Sequence, residues 1–167
     1  DSGCGGAAAR VPRDSGGSTW AYKSIAGTSS DTLSPTARGA VHGKSANTYL
    51  RLRRDITEPG KVSSGEWIDV VVAIDWIAMR IQEDIFDAIT AESGKLNFDS
   101  AGITSVGGII QSRLERAASL GIVDASSIRV TIPEISQLEA SDIAARILNG
   151  GSFTARNTLG GTARAQV

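Results

Sequence analysis

The chain has 167 residues, 41% hydrophobic and 21% charged, enough apolar side chain for one sizeable core in a globular domain. Its 17 basic and 18 acidic residues leave a net charge of −1, so no global field draws it to nucleic acid or to an anionic membrane surface. One cysteine, Cys4, and one histidine, His42, exclude an internal disulfide, a thiolate zinc site and a histidine-rich metal centre.

No apolar run approaches the roughly 20 residues of a membrane helix, and no membrane insertion is expected. Residues 1–17 are rich in glycine, serine and alanine and read as a linker or as the end of an upstream domain. The opening DSGCGGAAAR has no signal-peptide core and reads as a boundary inside a longer chain. Residues 18–150 read as the core domain and 151–167 as a C-terminal strand arm.

Within the core, residues 18–25 alternate Trp20, Tyr22 and Ser24 against Ala21, Lys23 and Ile25. This predicts a half-buried strand with its aromatics on one face. A turn over 27–33 leads to Ser34-Pro35, an N-cap followed by proline at the first helical position, and a helix to about Lys44 despite Gly39 and Gly43. Residues 47–53 alternate again, with Leu50 and Leu52 on one side, and predict a strand. Pro59-Gly60 turns the chain into a short extended piece at 61–63.

The strongest signal is EWIDVVVAIDWIAMRIQEDIFDAITAE, residues 66–92. Trp67, Val70, Ile74, Ile77, Ile81, Ile85 and Ile89 recur at steps of three and four, one stripe of a long helix. Asp75, Arg80, Gln82, Glu83, Asp84 and Asp87 mostly take the other side. Asp99 caps a second helix with the stripe Ile103, Val106, Ile110, Leu114, Ala117 and Leu120, stopped by Gly121. Its Gly107-Gly108 pair permits close backbone approach. A strand over 127–132 ends at Pro133, a short helix lies within 142–148, and 151–167 offers SFTARN and TARAQV as a hairpin or extended arm. The expected fold is α+β: a mixed β-sheet packed by two long amphipathic helices, with an extended terminal arm or hairpin.

The search for chemistry returns little. His42 has no strand-to-helix elbow around a serine and reads as a solvent-facing or helix-end histidine. Residues 39–45, GAVHGKS, look like a phosphate loop but are one residue short, because the required glycine position holds Arg38. Helix then strand also inverts the order such a loop needs. Glu83, Asp84, Asp87 and Glu92 read as a solvated or partner-facing patch more than as acid–base or cation-binding carboxylates. Arg51, Arg53 and Arg54 read as a contact for a protein partner. No active site and no cofactor are expected, and the chain reads as a non-enzyme.

Residues 46–81, ANTYLRLRRDITEPGKVSSGEWIDVVVAIDWIAMRI, resemble the C-terminal half of contractile phage tail sheath proteins. The parts that carry the likeness are Asn47-Thr48-Tyr49, the segment from Gly60 to Glu66, and the helix start Trp67-Ile68-Asp69-Val70 with Ile74-Asp75-Trp76-Ile77. Trp20-Ala21-Tyr22-Lys23-Ser24, Asp31-Thr32-Leu33, Asn97-Phe98-Asp99, Val130-Thr131-Ile132-Pro133-Glu134, Ala144-Ala145-Arg146-Ile147-Leu148 and Phe153-Thr154-Ala155 continue it in order. The likeness runs from about Ser18 and rests on many short pieces. A complete sheath subunit is much longer, and the end from Thr158 is poorer in apolar residues than the sheath pattern.

The resemblance implies a virion protein, assembled in the host cytoplasm, that polymerises around a tail tube and contracts to drive the tube through the host envelope. Its implied partners are other copies of itself in a helical sheath, the tail tube protein, and baseplate and tail terminator proteins. It also implies terminal arms that add strands to neighbouring subunits. That makes Phe153, Thr154, Ala155, Arg156, Thr162, Ala163, Arg164, Ala165, Gln166 and Val167 candidate inter-subunit contacts, with Glu83, Asp84 and Asp87 on the long helix. The alternatives are a small α/β nucleotide-binding or hydrolytic domain using residues 39–45, and a tail-tube or baseplate component.

Overall fold

Ser34 begins the first helix as its chemistry requires: its hydroxyl accepts from the Ala37 amide at 3.2 Å, and Pro35 opens α1 (Pro35–His42). The computed structural model describes residues 19–91, 96–158 and 162–166. These fall into two compact units, divided between Ala73 and Ile74.

In the first unit, β1 (Thr48–Arg51) and β2 (Asp55–Glu58) pair as an antiparallel hairpin, from Thr48↔Glu58 to Arg51↔Asp55. The strand expected over 47–53 therefore stops at Arg51. Leu52, Arg53 and Arg54 make the turn, closed by Leu52 N–H on the Arg54 carbonyl at 3.1 Å. Leu50 is buried, whereas Leu52 is 49% exposed instead of sharing its face.

The strand expected over 18–25 does not form. Tyr22 takes a left-handed conformation, φ 63°, which breaks the pleat and leaves its ring 71% exposed. The segment wraps around Thr57 instead. Tyr22 N–H donates to the Thr57 carbonyl at 2.7 Å, and Thr57 N–H to the Lys23 carbonyl at 3.0 Å. The Thr57 hydroxyl donates to the Trp20 carbonyl at 2.9 Å and accepts from Lys23 N–H at 3.0 Å. Buried Thr57 is thereby fully satisfied.

The long helix α2 (Ile68–Thr90) begins in the first unit and ends in the second. Val70, Ile77 and Ile81 are buried as the stripe requires, but so is Trp76, which lies off it. Trp67 and Ile89, at the two ends of the stripe, are 45% and 55% exposed.

In the second unit, α3 (Ser100–Ser119) is capped by Asp99, whose carboxylate accepts from Gly102 N–H at 2.8 Å. It buries Ile103, Val106, Ile110, Leu114 and Ala117 as its periodicity predicts. At Gly107 an added Cβ would lie 2.9 Å from Ile132 Cγ1, so the missing side chain admits a close neighbour. A three-stranded antiparallel sheet follows, ordered β3 (Arg129–Thr131), β4 (Ser152–Arg156), β5 (Thr162–Gln166). Its registers include Val130↔Phe153 and Phe153↔Ala165. The short helix α4 (Ala140–Ala145), stopped by Arg146 at φ 56°, ends three residues before the expected end at Leu148.

Before β3, Asp124 accepts from the Ser126 hydroxyl at 2.8 Å and the Ser126 amide at 2.9 Å. These two bonds, with a smaller contribution from Arg156, hold its carboxyl below the ordinary aspartate value. The stabilisation from this cap is present at neutral pH and is lost as pH falls through that lowered value.

The class is α+β with two long helices, and the terminal hairpin forms. The strands divide into two antiparallel sheets instead of one mixed sheet. All the strand pairs in both sheets are antiparallel, β1–β2 through a tight hairpin and β3–β4 across a longer connection that holds α4.

Candidate functional site

Asn47, the segment from Gly60 to Glu66 and the first residues of α2 meet in one place. Asn47, between α1 and β1, accepts on Oδ1 from the amides of Gly60 at 2.7 Å and Lys61 at 2.9 Å. Its Nδ2 donates to the Lys61 carbonyl at 2.7 Å. A side-chain amide carries its acceptor oxygen and its donor nitrogen on separate atoms, so it can meet the two amides and the carbonyl together. The Gly60 carbonyl then accepts from Ile68 N–H at 3.0 Å, and Val62 N–H reaches the Glu66 carbonyl at 2.9 Å. The Lys61 ammonium sits 5.2 Å from the Trp67 ring centroid. Asparagine, glycine segment and helix start are thus one clamp.

Asn47→Ala removes three hydrogen bonds from it. The expected cost is about 2–4 kcal/mol of unfolding free energy in urea titration. Asn47→Asp keeps the two accepted bonds and should lose roughly half as much.

Beside the clamp, Arg38 Nη2 donates to Glu58 Oε2 at 2.7 Å, and Nε lies 2.6 Å from Oε1 as an ionic contact without hydrogen-bond alignment. The Glu58 side chain is only 8% exposed, so this arginine compensates a desolvated carboxylate. His42 Nε2 lies 2.9 Å from the Thr48 hydroxyl, which also reaches the Glu58 carbonyl at 3.3 Å. His42 is the last residue of α1, as a helix-end reading expects.

The amides of residues 43–46 are engaged locally. Gly43 N–H donates to the Gly39 carbonyl, Lys44 and Ala46 N–H to Val41, and Ser45 N–H to His42, at 2.9–3.3 Å. No outward amide cradle for phosphate is left in this stretch. Among the described residues no group of three His, Cys, Asp or Glu side chains gathers to hold a metal ion, and no helix is long and apolar enough to cross a membrane.

The candidate contact residues fall into distinct environments. Phe153 and Ala155 are buried, 5% and 1% exposed, on the central strand β4. Thr154 is half-buried between Arg129 and Arg164, and Arg156 is exposed, 3.8 Å from Asp124. These four residues are therefore part of the core sheet and its rim instead of a free arm. Thr162, Ala163, Arg164, Ala165 and Gln166 form β5, the edge strand, with β4 on one side. Val167 lies outside the described residues.

On α2, Asp84 is engaged within the unit. Arg113 Nε and Nη2 donate to its two oxygens, each at 2.6 Å, joining α2 to α3. Glu83 pairs with Arg80 at 2.7 Å and stays half exposed, and Asp87 is exposed. Only Glu83 and Asp87 of the three present carboxylates outward. Periodicity could not separate them, because the partner of Asp84 lies 29 residues away.

No protein-family model and no curated protein matches the chain.

Proposed function

We propose that the chain is a structural subunit of a contractile tail sheath. It polymerises with copies of itself into a helical sleeve around a tail tube and contracts to drive the tube through the host envelope. The observation that carries the reading is the C-terminal sheet, where β5 offers an edge to a neighbouring chain in the same unit as the buried stripe of α3. The family likeness supports it further, because the stretches that carry it in the first unit assemble as one clamp.

The mechanism is bistable assembly. Each subunit moves as a rigid body between two packings, while strand addition keeps the mesh connected. The residues that serve it are those of β5, with baseplate, terminator and tube proteins as the remaining partners. The protein then acts in the virion tail, after assembly in the host cytoplasm, and turns over no substrate.

Removing residues 162–167 tests this reading. The truncated chain is expected to keep its helical circular dichroism, since the buried α3 stripe and β4 remain. It should form no sleeves in negative-stain electron microscopy under conditions where the full chain does. Sleeves of normal length from the truncated chain would overturn the role given to β5.

A further inference from the structure

We propose that the tip of the β1–β2 hairpin docks on the outer face of α2 in a second copy of this chain. This deepens the self-assembly reading and rests on it.

The tip is Arg51-Leu52-Arg53-Arg54, and all four residues are exposed. The Arg51 side chain is 75% exposed, with its nearest carboxylate, Asp55, 4.0 Å away. Leu52 is half exposed in the turn itself. The backbone under these side chains is fixed by the Leu52–Arg54 bond and by the Arg51↔Asp55 pair that closes the hairpin. Three exposed arginines thus share the hairpin turn with one exposed leucine.

The outer face of α2 has the inverse pattern. Steps of four, four and three place Asp75, Met79, Glu83 and Phe86 on one exposed stripe, with Asp87 adjoining. Met79 and Phe86 are 41% and 65% exposed. Carboxylates alternate with apolar side chains along this stripe, so the exposed Met79 and Phe86 each have a carboxylate beside them. A basic partner with an apolar centre matches it, and nucleic acid would be repelled. Arginine is well suited to the role, since it forks onto carboxylates and stacks on an aromatic ring such as Phe86.

In a helical sleeve the tip of one copy seats on the stripe of the next, so contact between copies is heterologous. Such a contact does not close on itself as a two-fold dimer does. It propagates into rings or open helical filaments. It is also small and rimmed by charges, and so is sensitive to salt.

Two charge-reversed chains test the proposal, R53E/R54E and D75K/E83K. Each should raise the concentration needed for self-association at least tenfold, read by sedimentation velocity at low salt. An equal mixture of the two should recover assembly, because the reversed tip of one faces the reversed stripe of the other. All four positions are exposed, so far-UV circular dichroism should match the native chain, and Phe86→Ser should weaken association without any charge change. Either reversal assembling like the native chain, or a mixture that fails to recover, would overturn the docking. The two readings fail separately. Native sleeves indifferent to every reversal would remove the docking and leave the sheath reading standing. Reversal-dependent association without sleeves around a tube would do the opposite.

Discussion

Gly60→Ala is expected to destabilise the first unit by about 3–4 kcal/mol. Gly60 sits at φ 84°, where an L-residue costs about 1–2 kcal/mol. A Cβ there would stand 2.9 Å from the Ala21 amide nitrogen and 3.3 Å from the Trp20 carbonyl carbon. Both are backbone atoms, which cannot rotate aside. The chain must shift, and the shift opens the Asn47–Gly60 bond at 2.7 Å and the Ile68–Gly60 bond at 3.0 Å. Each contributes about 1 kcal/mol net.

Gly65→Ala is the control. Gly65 has φ 92°, but the nearest atom to a new Cβ is Ser45 Oγ at 3.7 Å, so only the conformational cost remains. Urea unfolding followed by tryptophan fluorescence should separate the two variants clearly. Equal midpoints for both would show that the close approach of Gly60 to residues 20 and 21 contributes nothing.

Phe153→Ala should destabilise the second unit by about 3–5 kcal/mol, the usual cost of removing a buried aromatic side chain. Phe153 is 5% exposed on the central strand, opposite Val130 on one side and Ala165 on the other. The void left there cannot be filled by moving an edge, because both neighbouring strands hold β4 in place. A residue of a free arm would behave differently: its truncation would weaken assembly and leave the melting temperature of the monomer unchanged. Thermal unfolding of the Phe153→Ala monomer therefore distinguishes a core residue from a contact residue. An unchanged transition would return Phe153 to the arm.

Much of the fold was legible where a single local rule decides the outcome. Ser34-Pro35 and Asp99 announce helix starts through capping chemistry, and the stripe from Ile103 to Ala117 is buried as its spacing requires. The terminal hairpin follows from two extended pieces joined through glycines. What escaped the sequence is what distant partners decide. The strand β2 reads DITE, without an apolar face; its buried Thr57 is satisfied by Trp20 and Lys23, and its buried Glu58 is paired with Arg38. Tyr22 sits where alternation predicts a pleat, yet the wrap around Thr57 requires a left-handed residue. The contact candidates divide for the same reason. Burial of Phe153 is set by strands on both sides, and Asp84 is held by an arginine on another helix. Neither is visible in the periodicity of its own segment.

The Asn47 clamp also bears on the order in which the first unit forms. Its bonds to Gly60 and Lys61 close segments of 13 and 14 residues, while the Thr57–Trp20 bond closes one of 37. The longer closure costs about 1 kcal/mol more in chain entropy before any contact compensates it. The β1–β2 hairpin lies inside the shorter segment and forms in microseconds. Hairpin and clamp together are therefore expected to form first, with residues 20–25 joining them afterwards. The stability lost in Asn47→Ala should therefore show up mainly as slower refolding in a stopped-flow chevron. Changes at the Thr57–Trp20 contact should mainly speed unfolding.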